Sequence, residues 1–277
     1  MSQAFAQPVM EQEVKVKEGN VTYVTKRTVV DKSIFISDYQ ENVDNLLNSF
    51  KLKKDAPLNA KIFDIADKTM YSFLESSARW KSHGEMMANM YFPSFYVNEK
   101  VTAFCFILYD SKSNLVEGYL QTLNYRETVD YLTYHEMGHC LEEYVMQGTG
   151  KKLSDNREDT ELFADIFAMA NFLQLDQPEQ AEKVIKLNKS GDDKDYHYQP
   201  ERLVRALDML KRNKNNDDLI NKNVNNVIDI AKEIFLKLKN DEILNPTLVL
   251  RGAEEKKPTK TVLFKSTLSD LQVTRTK

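Results

Sequence analysis

Apolar and polar residues alternate along this chain at two different periods, and the changes of period mark its elements. Near the N-terminus, Glu13-Val14-Lys15-Val16-Lys17 and Val21-Thr22-Tyr23-Val24-Thr25 flank Glu18-Gly19-Asn20, which predicts a β-hairpin. Helical spacing follows from about Tyr39 to Phe50 and from Leu58 to about Trp80. Val101 to Tyr109 is a nearly continuous apolar run, the pattern of a buried strand, and Asp110-Ser111-Lys112-Ser113-Asn114 after it is turn chemistry. Leu115 to Leu123 alternates, with Glu117, Tyr119 and Gln121 on one side, and predicts an edge strand. Tyr125 to Met146 holds no proline and repeats Tyr131, Tyr134, Met137, Leu141, Tyr144 and Val145 at helical spacing. A second helix opens at Asn156 to Asp165, with Asp155 or Asn156 as N-cap and Leu162, Ile166, Phe167, Met169 and Leu173 as its apolar side. Further helices are expected at Pro178 to Leu187, Pro200 to Lys211 and Leu219 to Leu238. From Asn240 onward, Pro246, Gly252 and Pro258 interrupt a stretch of little periodicity, the pattern of an extended arm or disordered tail.

Composition narrows the classes without choosing a function. With 277 residues, 42% of them hydrophobic, and a net charge of -4, the chain has enough apolar matter for one large or two small globular domains. The mild acidic balance argues against general nucleic-acid binding, although Lys256, Lys257, Lys260, Lys265, Arg275 and Lys277 make the C-terminal tail locally basic. The start, Met1 to Pro8, has neither a basic beginning nor a long apolar stretch, and no apolar run approaches membrane-spanning length. Two cysteines, Cys105 and Cys140, are too few for a disulfide framework and read as reduced core thiols, which implies a reducing, cytoplasmic setting.

The chemistry concentrates in His135-Glu136-Met137-Gly138-His139, where two of the four histidines stand four apart around a glutamate. On a helix turning every 3.6 residues, His135 and His139 share a face and their imidazoles converge on one metal ion, with Glu136 beside them. Zinc lowers the pKa of its water to about 7, and a neighbouring carboxylate takes that proton and later passes it to a leaving amine. Chance placement of two histidines on an ordinary helix also produces such a match, so the surroundings decide. Two histidines leave zinc short of one protein ligand beside its open position. Glu161 and Asp165, four apart on the second helix, present two carboxylates on one face. Glu158 is a rival on nearly the same face, and a plain acidic surface would account for all three. Gly138 costs its helix about 1 kcal/mol relative to alanine, a cost usually repaid by a close approach, here of the crossing ligand helix; the alternative is a tolerated glycine with no role.

The two half-motifs together resemble the gluzincins, in which a glutamate on a second helix is the third zinc ligand and an aspartate four residues later orients a zinc-binding histidine. The resemblance implies that His135, His139 and Glu161 hold one zinc ion, that Glu136 is the general base, and that Asp165 fixes the tautomer of His135 by accepting its far N–H. It covers roughly residues 95 to 210. Gluzincins also carry an oxyanion donor beyond the ligand helix, and His197, in Tyr196-His197-Tyr198, is the candidate; the bland alternative is a loop histidine packed between tyrosines. His83 has no metal-like partner at helical spacing.

The expected fold is therefore α+β: a mainly helical zincin-like domain over residues 91–239 with a small strand region before the active-site helix. An N-terminal region, 1–90, carries the β-hairpin, and 240–277 forms the arm. The expected function is zinc-dependent hydrolysis of a peptide bond in a protein or peptide substrate. The alternative is a non-catalytic protein of a larger assembly that keeps zinc as a staple, and a third reading is self-processing of the basic tail.

Overall fold

The computed structural model describes residues 8–18, 21–49, 58–64, 87–97, 100–109, 111, 115–146, 157–190, 199–214 and 224–244. Strands β1 (Val9–Glu18) and β2 (Val21–Val30) form the expected hairpin, antiparallel, with Val9 opposite Val30 and Glu18 opposite Val21. Asp31 then caps helix α1 (Lys32–Ser49): its Oδ1 accepts the N–H groups of Ser33 at 3.0 Å and Ile34 at 3.2 Å, satisfying donors that the first helical turn leaves open.

Three strands make a second sheet in the order β3-β5-β4. Strand β5 (Lys100–Tyr109), the predicted apolar run, lies in the middle, parallel to β3 (Leu58–Asp64) and antiparallel to β4 (Met87–Val97). The register of β4 slips between Tyr91 and Phe95, around Pro93, which has no N–H to give to the ladder. Residues on both sides of position 90 share this sheet.

Two expectations are corrected here. The helix expected from Leu58 begins instead as strand β3, with Leu58, Ala60 and Ile62 buried and Asn59 and Lys61 exposed, a period of two. Its remainder, 65–80, lies outside the described residues. The edge strand expected over Leu115 to Leu123 is helix α2 (Leu115–Tyr119) followed by a turn. Tertiary anchoring overrides the alternation: Val116 is wholly buried, and the Glu117 carboxylate accepts Lys32 Nζ at 2.7 and 2.8 Å and the Val30 N–H at 3.4 Å.

Helix α3 (Tyr125–Met146) carries the histidine motif. Its start is a capping box in which Asn124 Oδ1 accepts the Glu127 N–H and a Glu127 carboxylate oxygen accepts the Asn124 N–H, both at 2.9 Å. Helix α4 (Arg157–Gln174) follows, and every residue from Glu161 to Leu173 is buried. A helix apolar nearly all round belongs in the centre, and α4 packs against α3 and against helices α5 (Pro178–Ser190), α6 (Pro200–Lys214) and α7 (Val224–Leu244). Arg202 of α6 ties that side together, reaching Asp159 of α4 at 2.8 Å and Glu242 of α7 at 2.8 Å. The opposite flank of α3 meets α1 and β4, which is an edge of the sheet. The whole is α+β and mostly helical, with seven helices among the described residues.

The cysteines need a further correction. Cys105 of β5 and Cys140 of α3 are joined in a disulfide rather than standing as free thiols. Their Cα atoms are 5.7 Å apart and both side chains point into the interface between strand and helix, which is bridging geometry. No described helix is long and apolar enough to cross a membrane. The basic tail and the arm beyond Leu244 lie outside the described residues, as do His83 and the proposed caps Asp155 and Asn156.

Candidate metal centre

One turn of α3 separates His135 from His139 and sets their ring centroids 4.9 Å apart. Helix α4 crosses α3 at Gly138. A Cβ there would lie 2.8 Å from Ala164 Cα and 3.3 Å from its Cβ and carbonyl oxygen, so glycine permits the crossing, as its cost within a helix predicts. The crossing brings Glu161 onto the histidines. His135 Nε2 and His139 Nε2 are 3.3 Å apart, and Glu161 Oε2 is 3.1 Å from the latter and 3.3 Å from the former.

These three separations test whether a metal fits. Ligand bonds of about 2.0–2.1 Å in a tetrahedron put the donor atoms about 3.3–3.4 Å apart, and the observed triangle has nearly that edge. Two imidazole nitrogens and a carboxylate oxygen turned to one point is a metal-binding donor set, and His135, His139 and Glu161 can hold an ion together. Three protein ligands leave a fourth position open. The rival Glu158 is exposed and outside this group.

Asp165 lies one turn beyond Glu161, against His135. His135 Nδ1–H donates to Asp165 Oδ1 at 2.8 Å, which leaves Nε2 to face the triangle. The aspartate is itself held on both oxygens, by Tyr131 O–H at 3.0 Å and by Asn188 Nδ2–H at 3.4 Å. Asn188 Oδ1 in turn accepts the Gln199 N–H at 2.6 Å, so α5 and the start of α6 brace the site from behind. Tyr131 and Asn188 were not apparent as site residues in the sequence. Tyr131 falls on the apolar stripe of α3 and reads as core; a lone amide near the end of α5 carries no spacing signal.

Electrostatics follow from this burial. Desolvation alone would lower the His135 pKa, but the charge and hydrogen bond of Asp165, with Glu161 behind them, hold it well above the ordinary histidine value. His139 is raised in the same way, against its own burial, mainly by Glu161. Burial would raise the Glu161 pKa, yet the two imidazoles hold it far below the usual carboxylate range. The Tyr131 phenol is pushed well up by burial and by Asp165, so it remains a hydrogen-bond donor.

Glu136 stands beside this triangle, only 4% exposed, and its Oε2 is fully buried with no hydrogen-bond partner among the described residues. A buried carboxylate oxygen is costly to leave unpartnered, which marks it as a group kept for a bound species. His197, the expected oxyanion donor, lies outside the described residues. A cavity of ≈ 450 Å³ between α1, α3 and α4, lined among others by Asn42, Arg126, Asp130, Tyr134 and Asn171, includes none of the candidate ligands.

Comparison of the chain with protein families, with curated proteins and with solved structures found no match in any of the three.

Proposed function

We propose that this chain is a zinc-dependent peptidase of the gluzincin kind, with His135, His139 and Glu161 as ligands of one zinc ion. The observation that carries the reading is the near-equilateral triangle of donor atoms at 3.1–3.3 Å with the buried, unpartnered Glu136 oxygen beside it. When bound, zinc supplies a Lewis acid that acidifies water and polarises a carbonyl. Asp165 holds His135 in the tautomer that offers Nε2 and strengthens it as a ligand. Glu136 is the proton carrier: a carboxylate oxygen in a dry site accepts a proton from the attacking water and delivers it to the departing amine nitrogen. Strand β4, the edge of the sheet among the described residues and packed beside α3, offers a backbone on which an extended peptide can add a strand.

Burial of His135 to 5% and Glu161 to 7% favours a second reading, in which zinc only staples α3 to α4 in a non-catalytic protein. The ligand set weighs against it, because the described residues bring three protein ligands together, whereas structural zinc sites are closed by four. Glu136→Gln separates the two. The variant should keep metal and fold but lose cleavage of a proteome-derived peptide library by at least about 10²-fold relative to wild type. Absence of cleavage by wild type, or full activity in Glu136→Gln, sinks the peptidase reading.

A further inference from the structure

We propose that β1 is an assembly edge, pairing antiparallel with the β1 strand of a second copy of this chain about a two-fold axis through Val14. Among the described residues β1 pairs only with β2, and the two form a ribbon apart from the central sheet. The ribbon is largely open to solvent: Glu11, Gln12, Glu13, Lys15, Lys17, Lys26 and Arg27 are exposed, as are Met10 at 50% and Val24 at 41%. A two-stranded ribbon alone is marginal in water, and the β1 edge that no described strand pairs presents a row of backbone donors and acceptors to any strand that fits.

The backbone fixes which residues offer those groups. The Pro8 carbonyl accepts the Asp31 N–H at 2.9 Å, so residues 8 and 31 are a hydrogen-bonded pair. Because the pattern alternates along β1, Met10, Gln12 and Val14 also turn their backbone groups toward β2. Glu11, Glu13, Lys15 and Lys17 turn theirs to the free edge. A second antiparallel strand must therefore set odd residues of β1 opposite odd residues.

Side chains then select the register. Glu11, Glu13, Lys15 and Lys17 alternate with other residues, so all four lie on one face, in the charge order minus, minus, plus, plus. With Val14 on the axis, Glu11 meets Lys17 and Glu13 meets Lys15, odd against odd, and symmetry repeats both pairs. Parallel stacking in register would instead put Glu on Glu and Lys on Lys. Edge lysines commonly block strand addition. Here their palindromic partners leave one orientation favourable, which fits a closed dimer rather than an open fibre.

Sedimentation velocity of the full chain over a concentration series tests this, with far-UV circular dichroism to show that each variant folds. Wild type should reach a dimer. E11K/E13K alone and K15E/K17E alone turn all four pairs into repulsions and should each weaken self-association at least about tenfold. An equimolar mixture of the two should restore a dimer. A wild type that stays monomeric throughout overturns the proposal. So does a dimer indifferent to these charges, or a mixture that fails to associate.

Discussion

Replacing Gly138 by alanine probes the close crossing of α3 and α4 that brings the candidate ligands together. The new Cβ would lie 2.8 Å from Ala164 Cα. Ordinary carbon contacts begin at about 3.5 Å, so α3 and α4 must separate by about 0.7 Å at their crossing. The obstacle is helix backbone, which does not swing aside as a long side chain does. Alanine regains about 1 kcal/mol of helix propensity, whereas overpacking costs about 1–3 kcal/mol, for a net loss of up to about 2 kcal/mol. The metal site is the more sensitive readout. The candidate ligands come from both sides of the crossing, His135 and His139 from α3 and Glu161 from α4. Coordination tolerates errors of about 0.2 Å, a fraction of the required shift. Zinc affinity, measured by competition with a chromophoric chelator, should fall by at least the 10–100-fold that loss of an outer partner typically costs. Trimming the neighbour, as in Gly138→Ala with Ala164→Gly, should not restore it, because the closest atom is Ala164 Cα and not its Cβ. A Gly138→Ala protein with wild-type zinc affinity and wild-type thermal stability would show that the crossing at Gly138 does not set the ligand geometry.

Asp165→Asn should weaken zinc binding about 10–100-fold and Tyr131→Phe less, since the first alters the partner of His135 and the second only that partner's support; equal affinities across all three proteins would contradict this. Zinc affinity should climb with pH. In the metal-free protein His135 and His139 are held above their ordinary value, so their stabilising charge pairs are complete below about pH 6.5 and are lost as pH rises through the raised values; zinc needs the neutral rings and gains over that window. Calorimetry in buffers of different ionisation enthalpy should show proton release on binding, and a pH-independent affinity with no proton release would argue against it. Reducing the Cys105–Cys140 bridge, which closes a sequence separation of 35, should cost about 3–4 kcal/mol on the chain-entropy model. Two titratable thiols in protein denatured without reductant would show that the bridge does not form.

Much of the candidate site was legible because it depends on helical spacing. His135, His139, Glu161 and Asp165 are each four residues from a partner, and helix geometry alone puts such pairs on one face. Gly138 was legible for a related reason, as a residue whose cost within a helix needs a close neighbour. What spacing does not encode is the third dimension. Asn188 reaches Asp165 from two helices away in sequence order, and the Tyr131 hydroxyl is hidden in what reads as an apolar stripe. Cys105 and Cys140 meet only because α3 packs on the sheet. Among the elements, β5 declared itself as a long apolar run, whereas β3 was absorbed into a wider window of helical spacing despite its own alternation of Leu58, Ala60 and Ile62. The five residues of α2 are too few for either period to be decisive, and contacts of Val116 and Glu117 determined their form.

The proposed function stands on His135, His139 and Glu161 holding zinc. Elemental analysis of protein purified without added metal, beside a His139→Ala variant prepared identically, tests it most directly. Wild type should carry close to one equivalent of zinc and the variant should lose it. Wild-type protein without stoichiometric zinc, or a variant that retains as much as wild type, would contradict it.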